Sequence, residues 1–238
     1  MDAVVLRRCS GRREFAQMTI AAGRRPNLLA GEDLPAAPLQ ERSMAKRVRL
    51  TSAGLALFGE KGFERTSIED IAARAKLAVG GFYQHFKSKR QLLLVLMDEL
   101  LGKLSQLNFD SQGVTDVRAG IRQLLARAFS HDLSYLGAYR AWQEAVLSDP
   151  ELLAKQRQIH KWTTTRVMRV FEFLQRLPNA RENVDVTGLA RAMDSFFWNL
   201  LAQASQLSKS ELNQRIDSAT HLIYHALISD FPPMKSVK

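Results

Sequence analysis

A chain of 238 residues, 46% of them hydrophobic, is long enough for one or two compact domains and can bury a sizeable core, which excludes general disorder. Its net charge of +10 favours an anionic partner, either nucleic acid or a membrane surface. The single cysteine, Cys9, excludes an intrachain disulfide and a multi-cysteine zinc site. No apolar run approaches the roughly 20 residues that a membrane-spanning helix needs. The longest are 92–97 with Leu100 and Leu101, interrupted by Asp98 and Glu99, and 196–202, interrupted by Asn199. Residues 1–13 contain no apolar segment of the secretory kind, so a cytoplasmic protein without membrane association is expected.

The positive charge is concentrated. Residues 44–90 carry ten Lys/Arg against four Asp/Glu, a net +6, whereas 1–43 and 91–238 each carry +2. Residues 1–43 also hold three of the seven prolines, the pairs Arg7-Arg8, Arg12-Arg13 and Arg24-Arg25, and no sustained periodicity. That composition predicts a disordered extension. A basic arm that touches DNA is one alternative, diluted by Glu32, Asp33 and Glu41. Translation starting at Met44 or Met18 is another.

From Ser43 the pattern becomes helical. Val48, Leu55 and Phe58 form one stripe with Leu50, Gly54 and Leu57 beside it, which predicts a helix over 44–60 closed by Gly62. Ser67-Ile68-Glu69-Asp70 has the capping-box pattern, and Ile68, Ile71, Ala72 and Ala75 give a short amphipathic helix over 68–75. After a connector at 76–79, a second short helix is expected over 80–86. Ser88, with Gln91 three residues on, starts a longer helix that runs to Leu107. Further helices are expected over 115–130, 133–147, 150–177, 187–206 and 209–229. Asp149-Pro150-Glu151 is a start signal and Leu177-Pro178 a stop. No strand alternation, hairpin turn or internal repeat is present.

Two short helices joined by a tight turn, behind a packing helix and inside the most basic segment, point to helix-turn-helix DNA binding. A narrow helix can enter the major groove, where base edges differ, while cations and helix N-termini hold phosphates. The run from Leu57 through Gly59, Gly62, Thr66 and Ser67 to Ala72, followed by Gly80-Gly81-Phe82-Tyr83-Gln84-His85-Phe86-Lys87-Ser88-Lys89, resembles the DNA-binding domain of the tetracycline-repressor (TetR) family.

That resemblance covers about 60 residues and implies an all-α fold. An N-terminal helix-turn-helix three-helix DNA-binding domain at 44–104, with the helix-turn-helix at 67–86, would precede a C-terminal helical ligand-binding and dimerisation domain at 105–238. It also implies roles. Thr66 and Ser67 approach the DNA backbone. Val79, Gly80, Gly81 and Gln84 face the groove. Tyr83 and His85 contact phosphate or sugar, Lys89 binds phosphate near the start of the longer helix, Lys87 is a further DNA-binding residue, and Phe82 and Phe86 lock the short helix to the core. The alternatives are a packing aromatic for Tyr83, a polar turn residue for His85 and a solvated face for 87–90. The chain departs from the family pattern at Lys76, where Gly is usual, and at Ala78, where Ser or Thr is usual. With Gly80 and Gly81 offering no side chain, base reading would rest on Gln84 and on DNA shape.

In this family the C-terminal helices form the dimer and bind a small effector. Phe196, Phe197, Leu200 and Leu201 on one helix, and Ile216, Ala219, Ile223 and Ala226 on the next, are the candidate dimer face; the alternative is that both stripes serve the subunit's own core. Candidate pocket residues are Phe129, Tyr135, Tyr139, Trp142, His160, Trp162 and Phe171, again with simple core as the alternative. An apolar or aromatic ligand with one or two polar groups would suit them. Asp217, His221 and His225 recur every four residues, a spacing open to a metal, but no third strong ligand accompanies them and a polar helix face is the reading adopted.

The function expected is a sequence-specific transcriptional regulator, a repressor released from a near-palindromic double-stranded operator by a small molecule. A ligand-dependent activator or a corepressor-dependent repressor would share the fold. An enzyme is not expected, because there is no glycine-rich phosphate loop or nucleophile motif and the histidines are scattered; no cofactor or metal is expected either. A basic helical module that binds proteins or membranes is the alternative from another class.

Overall fold

A computed structural model describes residues 24–35, 40–107, 116–177 and 179–229. Nine α-helices run through them: α1 Glu41–Lys61, α2 Ile68–Arg74, α3 Val79–Tyr83, α4 Lys89–Ser105, α5 Val117–Ser134, α6 Leu136–Ala145, α7 Pro150–Leu174, α8 Val186–Gln203 and α9 Lys209–Leu227. A 3-10 turn, Ala204–Gln206, follows α8. Among the described residues there is no strand, only an isolated bridge between Ala180 and Ile228. Pro178, the expected stop after α7, lies outside the described residues.

Local chemistry starts most of the helices. Ser67 Oγ accepts from Asp70 N at 3.0 Å while Asp70 reaches back to Ser67 N, so the capping box forms. Ser88 Oγ accepts from Gln91 N at 3.2 Å, but the Gln91 side chain turns to Lys87 N (2.8 Å) and Asp33 O (3.1 Å). Asp149 caps α7 ahead of Pro150. Ser208 and Glu211 complete a second capping box at α9.

Packing rearranges two expectations. On α1 the buried set is Leu50, Ala53, Gly54, Leu57 and Phe58, while Val48 is 62% exposed. Val48 therefore drops out of the expected stripe, while Phe58 is in the core and Leu55 packs against it. α4 buries residues 92–97 on every side, because it runs between the N-terminal helices and the C-terminal ones. A helix apolar all round is a buried helix.

The core does not break at residue 104. Phe58, Phe82 and Phe86 share one cluster with Ala138, Trp142, Leu152 and Ile159 of α6 and α7. A second cluster joins Ile121, Phe129, Phe171, Leu200, Ile216 and Ile223 across α5 and α7–α9. α6 lies so close to α1 that a Cβ on Gly137 would stand 2.1 Å from Leu55 O. Arg140 donates to Gly59 O, and Glu144 accepts from Phe63 N at 2.7 Å, closing the same contact.

The extension expected to be disordered over 1–43 is docked over residues 24–35. Leu28 is fully buried. Arg25 forms a two-point pair with Asp98 at 2.6 and 3.0 Å, and Leu28 N donates to the same carboxylate. Lys155 donates to Leu28 O at 2.8 Å, and Glu32 binds Arg90 at 2.8 Å. The composition of the segment did not reveal these partners because they lie on α4 and α7. α1 also begins at Glu41, three residues before the expected Met44.

Candidate nucleic-acid interface and interior cavity

The short helix α3 is held from below. Phe82 and Phe86 are fully buried with ring centroids 5.6 Å apart, as the lock on the core requires. Its N-cap, Ala78, makes no side-chain cap, as its sequence implies. Before it, Lys76 adopts φ of 55°, the left-handed region where a side chain is strained. This position follows the α2 C-cap, Ala75, so the backbone there favours the glycine that the chain lacks.

The outward face of α3 is free of internal tasks. Val79, Gly80, Tyr83 and Gln84 are exposed, and Gly81 is half-buried. A Cβ on Gly80 would meet nothing within 4 Å. Ser67 is half-buried at the N-cap of α2. Lys87 is exposed and paired with Asp33. Lys89 lies inward of the expected position: its Nζ donates to Phe63 O (2.9 Å) and Glu64 O (3.1 Å), tying α4 to the α1–α2 turn.

Two expected contact residues are buried. Thr66 is 1% exposed, and its Oγ1 donates to Gly62 O at 2.6 Å, closing the turn after α1. His85 is 3% exposed beneath α1, and burial, followed by the charges of Arg47 and Lys46, depresses its imidazole pKa. Neither side chain can reach a phosphate without leaving its site. Arg47, which the sequence reading did not single out, donates to His85 O at 3.2 Å and lies 4.6 Å from the Phe86 ring centroid. Its basic neighbours on α1 were the signal that pointed to it.

The C-terminal helices enclose a cavity of about 170 Å³ beside the end of α4. Of the expected pocket residues, Phe129, Tyr139 and Trp162 line it. Tyr135, Trp142, His160 and Phe171 do not. Tyr135 donates to Glu99, Trp142 is sealed in the first core with its Nε1 on Gln156, and Phe171 belongs to the second core. His160 is one step removed, bonded through Nδ1 to Asp194 at 3.1 Å, and Asp194 does line the cavity. The expected aromatic set omitted Trp198 of α8, and it left out the apolar wall of Leu100, Leu101 and Leu104 of α4 together with Arg166 of α7. Their signal was the surplus of apolar residues at the end of α4.

The expected dimer stripes are largely the subunit's own core. Leu200, Leu201, Ile216, Ala219 and Ile223 are buried in the second cluster, while Phe196, Phe197 and Ala226 are half-buried. The exposed strips are their neighbours, Ala192, Ser195, Asn199 and Ala202 on α8 and Ser218 and Leu222 on α9. Asp217 pairs with Arg122 at 2.6 Å, and the His221 and His225 rings stand 4.2 Å apart.

Residues 50–96 match the model of the N-terminal domain of bacterial regulatory proteins, tetR family. The chain is 40% identical over 57 residues to YerO of Bacillus subtilis, described as an uncharacterized HTH-type transcriptional regulator; the match covers 24% of this chain and 20% of YerO. It is 43% identical over 58 residues to the HTH-type transcriptional repressor Rv3405c of Mycobacterium tuberculosis, covering 24% of this chain and 31% of that one. The chain thus spans a fifth to a third of the length of such relatives. In structure it resembles SmeT, the repressor of the Stenotrophomonas maltophilia multidrug efflux pump SmeDEF, with a TM-score of 0.59 at 22% identity, over 83% of this chain and 98% of SmeT.

Proposed function

We propose that this chain, whose residues 50–96 match the model of the tetR family of bacterial regulatory proteins, is a sequence-specific DNA-binding transcriptional regulator of that family and not an enzyme. The observation that carries this reading is the outward face of α3. Val79, Gly80, Tyr83 and Gln84 are presented on a helix anchored by two buried phenylalanines, within the segment that holds most of the excess positive charge. Gln84 is the base reader, since it alone on that face carries an amide fork that matches adenine. Gly80 and Gly81 let the backbone approach closely. Ser67, Tyr83 and Lys87 take phosphates, with Lys87 exchanging Asp33 for DNA.

The working assembly is a homodimer, whose two α3 helices would enter successive major grooves about 34–36 Å apart on a near-palindromic operator. α8 and α9 form its interface through their exposed strips rather than through the buried stripes. The C-terminal domain, 105–238, is the effector-binding unit, with the cavity as its site, and the regulator is a repressor released when the cavity is filled. A protein acting on chromosomal DNA works in the cytoplasm; no helix of the described residues is long and apolar enough to cross a membrane.

The test is a salt-titrated binding measurement on the full chain with duplexes from the DNA flanking its own gene and with random duplexes. A site bound about 10³-fold or more above random DNA is expected, with affinity falling steeply as salt rises. Equal affinity for both would favour a general polyanion binder. Light scattering of the complex should give two chains per site.

A further inference from the structure

Among the described residues that line the cavity, Arg166 of α7 is the cation, and its hydrogen bonds lead toward α3. Its Nη2 donates to Leu104 O and to Leu107 O, both at 2.9 Å. These carbonyls stand at the C-terminal end of α4, where the helix dipole presents its negative pole. α4 begins at Lys89, just past the buried Phe86, so a single helix links the cavity to the base of α3.

Arg166 has no carboxylate partner among the described residues, and burial pulls its pKa down. A largely desolvated cation that the described residues meet with carbonyl dipoles and an aromatic ring, and with no carboxylate, is an incomplete arrangement. Its guanidinium lies 5.0 Å from the Trp162 ring centroid, and the buried Trp162 indole N–H has no acceptor among the described residues. The cavity's carboxylate, Asp194, is already bonded to His160, which precedes Arg166 by about 9 Å along α7 at roughly 1.5 Å per residue. The remaining wall is apolar, with Leu100, Leu125, Phe129 and Leu201. Its volume is on the order of one that holds a single aromatic ring.

A carboxylate engages a guanidinium through one of two planar forks, Nε with Nη2 or Nη1 with Nη2, and both include Nη2. An acid seated on Arg166 therefore competes with the α4 carbonyls for the same nitrogen.

We propose that the cavity takes a small lipophilic acid, an aryl or short acyl carboxylate, held by Arg166, and that this contact withdraws the guanidinium from the end of α4. The inference rests on the reading of the cavity as an effector site. It narrows the ligand to an anion and makes Arg166 the residue that couples occupancy to the DNA-binding unit.

The test uses the full chain and two matched pairs, hexanoate with hexanol and benzoate with benzyl alcohol, followed by calorimetry and by quenching of tryptophan fluorescence. The acids should bind tighter than their alcohols by on the order of tenfold to a hundredfold. Arg166→Met should remove that preference, so that acid and alcohol bind alike; Arg166→Lys should retain part of it. Hydrogen exchange over residues 103–107 should rise with acid, and in Arg166→Met without ligand.

Alcohols that bind as tightly as acids would overturn the acid class and leave the effector site standing. If neither class binds, the effector site and the acid fall together. Acid binding with unchanged exchange at 103–107 would overturn the coupling. Should Arg166→Met fail to fold, the acid and alcohol affinities of the natural chain decide alone.

Discussion

Beneath α3, Phe58, Phe82, Phe86 and residues 92–94 are fully buried, whereas among α5, α7 and α8 the side chains of Leu104, Phe197 and Trp198 remain partly uncovered around a cavity. The two regions have the same helical make-up and opposite interiors. A sealed core holds the face of α3 in place, as the proposed contact with a rigid duplex requires. The C-terminal unit keeps space that a ligand can fill, at the cost of the dispersion contacts a closed core would make. α4 belongs to both, sealed at its first turns and open at its last.

Substitutions sharpen that contrast. Phe82→Ala should cost about 3–5 kcal/mol of unfolding free energy, because a rigid core cannot collapse around the void. Leu125→Ala, on the cavity wall, should fall near the low end of its class at about 2 kcal/mol, since part of its surroundings is already empty. Equal losses by denaturant titration would erase the distinction between sealed and hollow.

Leu28→Ala tests whether the segment 24–35 is part of the fold. Its side chain is fully buried, so a loss of about 2–4 kcal/mol is expected. A loss below about 0.5 kcal/mol, the scale of a surface change, would return the segment to a loose extension.

Lys76→Gly should stabilise the chain by about 1 kcal/mol, by relieving the left-handed backbone at φ of 55°. Thermal unfolding would show a raised midpoint. A fall would mean that the Lys76 side chain makes up for the strain.

The smallest effect concerns His85. Its folded-state pKa is depressed, so the unfolded chain takes the proton more readily. Stability is then complete above the unfolded value of about 6.5 and is lost as pH falls from there through the folded pKa. His85→Gln should flatten that part of the stability curve relative to the natural chain. An unchanged slope would assign the acid sensitivity to other groups.

Much of the N-terminal helical unit was legible because its signals are local. Ser67 with Asp70, Ser88 before Lys89, and the pair Phe82 and Phe86 act within a few residues of themselves. The helices lie within a few residues of their expected bounds for the same reason. The errors have one source. Thr66 and His85 are short-range motif members whose side chains are buried, that of Thr66 on the Gly62 carbonyl. Val48, Leu200 and Ile223 stand at helical spacing, and spacing alone does not say which neighbour covers a stripe.

Caps, helix spans, the all-α class and the basic reading segment were determined by the sequence alone, since hydrogen bonds over three or four residues and the periodicity of apolar side chains are properties of the chain itself. Tertiary structure decided the rest: the docking of residues 24–35, the inward turn of His85, the assignment of the α8 and α9 stripes to the subunit's core, and the place of Arg166 between the cavity and the end of α4. Those depend on partners 34 to 127 residues away in sequence, as His160 with Asp194 and Lys155 with Leu28 illustrate, and only the packed chain brings them within hydrogen-bonding distance.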